Sequence, residues 1–309
     1  PAETLADQIM RPDGPPTDTQ TAAALAQVAD AAPDLSVFER ETLTAFLLMA
    51  DAPHDLALVE VGMGGDDDAT NVLPDSAAAA ITPVALDHQA FLGTDVATIA
   101  RRKAGIAKPG RPLVLAAQDV AAEGAIVGVA TDLGAGPILR RGGEWDVERV
   151  GDGLRVTLGG RSIAAPRPAL RGQHQIDNAG LALATLIAAG VAFDPAALAS
   201  AFFPKRMQAV DPADFGFPAH WRAFRDGAHN PHAAAALARA IEDERRPGER
   251  IALFIHLRGD KDAAGFAAAL AHLNADIDPP TDDAASAQPT LAVVCGTLQA
   301  VKRPSRSIP

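Results

Sequence analysis

The chain has 309 residues and a mass of 31.8 kDa, which suits about two domains at roughly 150 residues each. It is 48% hydrophobic and 21% charged, an ordinary globular composition that excludes a disordered chain. A net charge of −12 denies it the broad positive field that holds nucleic acid, although backbone N–H groups can still hold a phosphate locally.

The single cysteine, Cys295, excludes a disulfide or thiolate metal cage within one chain. It closes the apolar run Leu291–Cys295 and reads as a buried strand thiol. No stretch reaches the roughly 18 apolar residues of a membrane span, and no leader-like segment opens the chain. The expectation is a cytoplasmic monomer without nucleic-acid or membrane partners.

In chain order, Leu56–Val61 is apolar except for Glu60 and reads as a strand covered on both faces. Ala78–Val84 reads as a second strand. Thr94–Lys103 reads as a helix capped by Thr94 and ended by Gly105, with Val96, Ile99 and Ala100 on one face. Pro112–Ala116 is a short strand. Residues 134–170 turn Gly- and Arg-rich with short alternating runs, which predicts a small antiparallel sheet. Asp177–Ala189 reads as a helix capped by Asp177 and stopped by Gly190.

After a hinge at Phe203-Pro204-Lys205-Arg206 the pattern restarts. Trp221–Arg225, Ile251–Leu257 and Leu291–Cys295 read as strands. Pro231–Glu244 and Asp262–Leu273 read as helices, and Asp276–Gln288 as a solvated loop. Alternating strands and helices predict parallel sheets, whose ligands sit at strand C-termini.

Five clusters fall at such places. The first is Glu60-Val61-Gly62-Met63-Gly64-Gly65 with Asp66–Asn71; a carboxylate in a buried strand needs a partner or a cation, and glycines let backbone approach a ligand. The second ends in Asp87-His88. The third is Lys103-Ala104-Gly105-Ile106, with Lys103 on the apolar phase of its helix. The fourth is Asp226-Gly227-Ala228-His229-Asn230-Pro231, a plausible nucleotide edge, and the fifth is Asp260-Lys261-Asp262. Each also has an ordinary reading: a satisfied core carboxylate, a structural histidine, a snorkelling lysine, turn and capping residues.

Taken together and in this order they resemble the folylpolyglutamate synthase/dihydrofolate synthase branch of the Mur ligase superfamily. The resemblance rests on EVGMGG with DATN (60–71), ITPVALDH with FLG (81–93), KAGIAKPG (103–110), GQHQIDNAGLAL (172–183), Arg206 with Gln208, DGAHNP (226–231) and DKD (260–262). KAGI and DATN fit this branch better than the peptidoglycan-precursor ligases.

The resemblance implies an α/β, Mur-ligase-like chain. A mostly parallel-sheet ATP-binding domain would occupy residues 1–204 and a smaller Rossmann-like domain residues 205–309. It implies an ATP-dependent ligase that joins L-glutamate to dihydropteroate or folate through an acyl phosphate. Glu60 and His88 would hold Mg²⁺, and Lys103 would be carbamylated. Asn178, Arg206, Asp226 and His229 would contact ATP. Ser36, Val37, Phe38 and Glu39, with Asp67, Asp68 and Ala69, would hold the pterin.

The sequence departs from the family pattern in four ways. It has no Gly-Lys-Ser or Gly-Lys-Thr phosphate loop, it has Asp66-Asp67 where Arg-Leu is usual and Lys205 where Gly is usual, and it has no tyrosine. These departures imply a chain that starts after the first strand and phosphate loop and is inactive as it stands. The alternative is a degenerate, non-catalytic remnant.

Overall fold

The computed structural model describes residues 4–259, 261–277 and 290–296. Two helices come first, α1 (Asp18–Ala31) and α2 (Val37–Ala50). Each starts with a capping box, Thr17 with Gln20 and Ser36 with Glu39, which satisfies N–H groups that a helix start leaves orphaned.

There follow β1 (Ala79–Ile81), α3 (Gln89–Leu92), α4 (Val96–Ala104), β2 (Leu113–Leu115), α5 (Val120–Asp132) and β3 (Ile138–Arg140). The three strands form a parallel sheet in the order β1-β2-β3. Helices cover both faces, so Leu113, Val114 and Leu115 of the central strand are all fully buried. Ile99, Ala100 and Ile126 of α4 and α5 pack on the Leu113/Leu115 face. The Val114 face meets Ile176, Leu183 and Ala184 of α6 (Gln173–Ala188).

Between β3 and α6 runs an antiparallel meander, β4 (Trp145–Val150), β5 (Gly153–Leu158) and β6 (Arg161–Pro166). This is the small sheet that the alternating runs of 134–170 predict. Its Trp145 is 2% exposed and donates from Nε1 to the Leu115 carbonyl at 2.9 Å.

The second unit comprises β7 (Gln208–Val210), β8 (Arg222–Asp226), α7 (Pro231–Glu244), β9 (Arg250–His256), α8 (Ala263–Leu270), β10 (Asp276–Ile277) and β11 (Thr290–Gly296). Its sheet has the order β10-β9-β11-β8-β7, parallel except for β7. Val293 sits opposite Phe224 on one side and Leu253 on the other. Leu237, Ile241 and Phe266 of α7 and α8 fill one face. Phe217 and Trp221 cover the other, with Phe217 stacked on Phe254 at 4.6 Å. Cys295 is a buried strand thiol, as its apolar run predicts.

Four expectations are corrected. Leu56–Val61 is not a strand: among the described residues no strand pairs with it, and Leu58 is 93% exposed. Apolar patterning marks such a run, but the ladder that buries it is non-local. Helix α4 is capped by Asp95, which accepts from the Thr98 N–H at 2.9 Å, and not by Thr94. Helix α6 starts at Gln173 rather than Asp177, because the Asp177 carboxylate pairs with Arg141 at 2.8 Å instead of capping. The expected loop Asp276–Gln288 opens instead as strand β10, since Asp276 and Ile277 pair with Ala252 and Leu253 of β9; its residues 278–288, and Asp260, lie outside the described residues.

Candidate functional site

The glycine-rich segment after Glu60 lies against the last turn of α4. A Cβ on Gly65 would stand 2.7 Å from the Arg102 carbonyl oxygen, and one on Gly105 would stand 2.6 Å from the Asp66 Cα. The Asp66 N–H donates to the Arg102 carbonyl at 2.9 Å. These positions must therefore be glycine for the two segments to touch.

Asp68 is buried and accepts from the Met63 N–H (2.8 Å), the Thr70 N–H (2.9 Å) and the Thr70 hydroxyl (2.6 Å). Burial pushes its carboxyl up, yet these bonds together hold it below the usual carboxylate range. Asn71 donates to the Gly105 carbonyl at 3.1 Å, and Lys108 donates to the Asn71 Oδ1 at 2.9 Å. The EVGMGG–DATN and KAGIAK stretches thus form one knot. Arg102 lies 3.4 Å from Asp66 and 3.5 Å from Asp67, which offsets one of the two negative charges where the family pattern has Arg-Leu.

The ends of the two sheets meet at Asp87. This residue follows β1, whose continuation Thr82–Val84 is pinned by Gln118: its Nε2 donates to the Thr82 carbonyl at 2.9 Å and its Oε1 accepts from the Val84 N–H at 2.9 Å. Asp87 accepts from Asn230 Nδ2 at 2.9 Å and Lys261 Nζ at 3.1 Å, and His229 Nε2 lies 3.8 Å away. Asn230 and His229 follow β8, and Lys261 follows β9. Sequence reasoning flagged these segments but gave no role to Asp87, Gln118 or Lys261; the position of Asp87 just beyond a strand was the available signal.

Asp226, at the end of β8, is 8% exposed. Its two oxygens accept from the Met207 and Ala228 N–H groups, both at 2.8 Å, so it joins the hinge to the DGAHNP loop. Lys205 and Met207 have φ of +60° and +42°. A left-handed residue at 205 is the physical reason that the family pattern favours glycine there. Arg206 lies over the Phe203 ring at 5.3 Å and its guanidinium crowds Gly227.

Glu60 and His88 are exposed and Lys103 is half-buried. His88 has a left-handed backbone, φ +50°. Among the described residues no hydrogen bond or ion pair joins Glu60, His88 and Lys103, and no group of three His, Cys, Asp or Glu side chains could hold a metal ion. Asn178 is an exposed residue of α6 that donates to Gln175 at 3.2 Å. His229 is exposed; its Nδ1 lies 2.9 Å from the Gly227 carbonyl and its Nε2 3.8 Å from Asp87.

In the expected pterin segment, Ser36 and Glu39 cap α2. Val37 and Phe38 stay exposed, and the Phe38 ring lies where a Cβ on Gly62 would stand 2.3 Å from it. The structure therefore brings Ser36–Glu39 to the Gly62 end of the knot. Ala69 starts a 3-10 turn there, and Asp67 points its carboxylate at Arg102.

A parallel α/β sheet with helices on both faces, facing a second α/β sheet through strand C-termini, is a Mur-ligase-like architecture. No family model matches the chain. It is 35% identical over 255 residues to the dihydrofolate synthase/folylpolyglutamate synthase of Escherichia coli (strain K12), covering 79% of this chain and 56% of that protein. It is 36% identical over 265 residues to the enzyme of the same name from Mycobacterium tuberculosis, covering 77% and 51%. The solved structure of E. coli FolC in complex with DHPP and ADP overlays with a TM-score of 0.77 at 30% identity, covering 92% of this chain and 74% of that one. The chain belongs to the dihydrofolate synthase/folylpolyglutamate synthase family. It spans about half the length of the curated relatives it matches.

Proposed function

We propose that this chain is part of an ATP-dependent ligase that joins L-glutamate to dihydropteroate or a folate, with a first domain over residues 1–204 and a second over 205–309. The observation that carries the reading is the meeting of the two sheets' C-terminal edges at Asp87, where Asn230 of DGAHNP and Lys261 converge on it. Arg102, 3.4 Å from Asp66 and 3.5 Å from Asp67, offsets one of the two negative charges there and so weakens the charge objection to an acidic substrate.

A carboxylate is a poor electrophile because its leaving group would be oxide. Phosphorylation by ATP supplies a better leaving group; the glutamate amine adds to the acyl phosphate, and loss of phosphate leaves the amide. The protein's part is positioning and charge neutralisation. His229 and Asn178 would hold the nucleotide, and Arg206 its phosphates. Asp226 would act through the hinge by fixing Met207, next to Arg206. Val37 and Phe38 offer an apolar step to the pterin.

By the family resemblance Glu60 and His88 would hold a divalent cation of the kind that takes few protein ligands and completes its shell with water and phosphate oxygens. Mg²⁺ bound there would offset phosphate charge. A carbamate on Lys103 would add an anionic oxygen donor. Lys103→Ala would then abolish most activity and a short carboxylate would restore part of it; full activity in the alanine variant would sink that role.

These 309 residues contain no Gly-Lys-Ser or Gly-Lys-Thr, and by themselves we expect them to form little amide. The test is phosphate release by the full-length protein given dihydropteroate, L-glutamate and Mg-ATP, beside the 309-residue chain. His229→Ala should raise the KM for ATP several-fold and leave that for the pteroate unchanged. No glutamate-dependent phosphate release from the full-length protein would overturn the reading.

A further inference from the structure

Asp87 is half-buried and carries one carboxylate against three donors. Its Oδ1 accepts from the His88 N–H at 2.9 Å and from Lys261 Nζ at 3.1 Å, and its Oδ2 accepts from Asn230 Nδ2 at 2.9 Å. Lys261 keeps only 13% of its side chain exposed. The partners lie 143 and 174 residues away in sequence, on loops after two different strands of the second sheet.

The pairing has three consequences. The bond to His88 N–H sits at a backbone of φ +50°, a conformation that a non-glycine residue holds only when its surroundings over-determine it. The same carboxylate therefore touches the backbone of the candidate metal ligand and two loops of the second unit. Asn230 is divided in role: its Oδ1 caps α7 by accepting from the Ala233 N–H at 2.8 Å, while its Nδ2 reaches Asp87. Among the described residues the units also meet where Arg171 pairs with Glu244 at 3.2 Å and lies over the Phe224 ring at 5.2 Å, and where Gly172 packs against Ala240 of α7. Polar anchors with a small helix contact of this kind resemble a transient interface, across which relative motion is the default.

We propose that Asp87 is the positioning residue that latches the second unit onto the first, acting through Lys261 and Asn230 to hold the DGAHNP loop and His229 against the His88 loop. The proposal deepens the ligase reading, yet its geometry does not depend on that reading.

Asn230 allows a clean test. Asn230→Asp keeps an oxygen that caps α7, since Asp and Asn are equally good caps, but replaces the donor facing Asp87 with a carboxylate. Spin labels at Val120→Cys and Asp243→Cys, both exposed and on α5 and α7, report the distance between units in the full-length protein. Asn230→Asp and Asp87→Ala should each broaden or lengthen that distance distribution. Lys261→Met should do so to a lesser degree, and Asp87→Ala with Lys261→Met should go no further than Asp87→Ala alone. The melting temperature of Asn230→Asp should stay within a few degrees of the parent. Where the protein forms amide, Asn230→Asp should lower kcat at least tenfold while the KM for the pteroate stays constant. Distributions for Asn230→Asp and Lys261→Met that superimpose on the parent would overturn the latch even if amide is formed. A broadened distribution with no amide formation in the parent would uphold the latch and overturn only the ligase reading.

Discussion

Glu144 shows what one well-placed cation does at a surface. Arg140 donates to it from Nε at 3.1 Å and from its terminal guanidinium nitrogen at 2.8 Å, and the Arg140 N–H donates at 2.9 Å. The paired guanidinium hydrogen bonds, then the backbone one, pull the carboxyl from 4.5 down to about 2. A carboxyl held low when folded stabilises above its unfolded value and loses that contribution as pH falls toward 2. Solvent screens so exposed a pair, so the effect on stability is small. The readout is the carboxyl carbon shift of Glu144, which should titrate near 2 and return toward 4.5 in Arg140→Ala. A midpoint near 4.5 in the parent would refute the pairing. Single residues were unevenly legible. Asp68 was legible as an acidic loop residue, but its use as a loop clamp depends on Met63 and Thr70 arriving together. Asp87 was legible only as the neighbour of a histidine, because its partners lie across the chain.

At the scale of elements, three glycines separate helix propensity from packing. Gly124 and Gly128 are exposed in α5, with nothing near the place of a Cβ. Gly180 is buried in α6, where a Cβ would stand 2.6 Å from the Val147 Cβ. Alanine gains about 1 kcal/mol over glycine in a helix interior, whereas overpacking costs about 1–3 kcal/mol. Val147 sits on β4, the edge strand of the meander, paired with Val156 of β5, and its β-branched side chain cannot yield as a flexible one would. Gly124→Ala should therefore raise the melting temperature of the first unit by about 2–4 °C, and Gly180→Ala should lower it. A Gly180→Ala melt at or above the parent's would show that β4 shifts to admit the methyl. Local signals also explain which elements were legible. Pro231–Glu244 reads to the residue because Asn230, the following proline and the 3.6-residue apolar repeat agree. Leu56–Val61 does not, because burial of an apolar run as a strand needs partners that no local pattern supplies. The start of α6 was misplaced because Asp177 resembles a cap until Arg141 is seen beside it.

Over the whole molecule, the two units have separate cores. Trp145 lies in the core between the first sheet and its meander, and Trp221 in the core behind the second sheet. Among the described residues the contacts between the units are polar at Asp87, with Asn230 and Lys261, and mixed around Arg171, which pairs with Glu244 and lies over the Phe224 ring beside Gly172 and Ala240. A polar junction couples two cores weakly, so the chain should not unfold in one two-state step. Its two tryptophans make this measurable, one in each core. Trp145→Phe costs one hydrogen bond, but the Leu115 carbonyl keeps the Arg141 N–H at 3.1 Å. Trp221→Phe costs none, since the Trp221 Nε1 is buried without a partner. In each variant the remaining indole reports one core, while far-UV circular dichroism reports both. Urea unfolding of each variant should then give a fluorescence transition that departs from its own dichroism curve, with the two fluorescence midpoints differing from each other. Adding salt should separate the midpoints further by screening the ion pairs at the junction. Fluorescence and dichroism curves that coincide within both variants would show that the polar contacts suffice to make the two units one cooperative body.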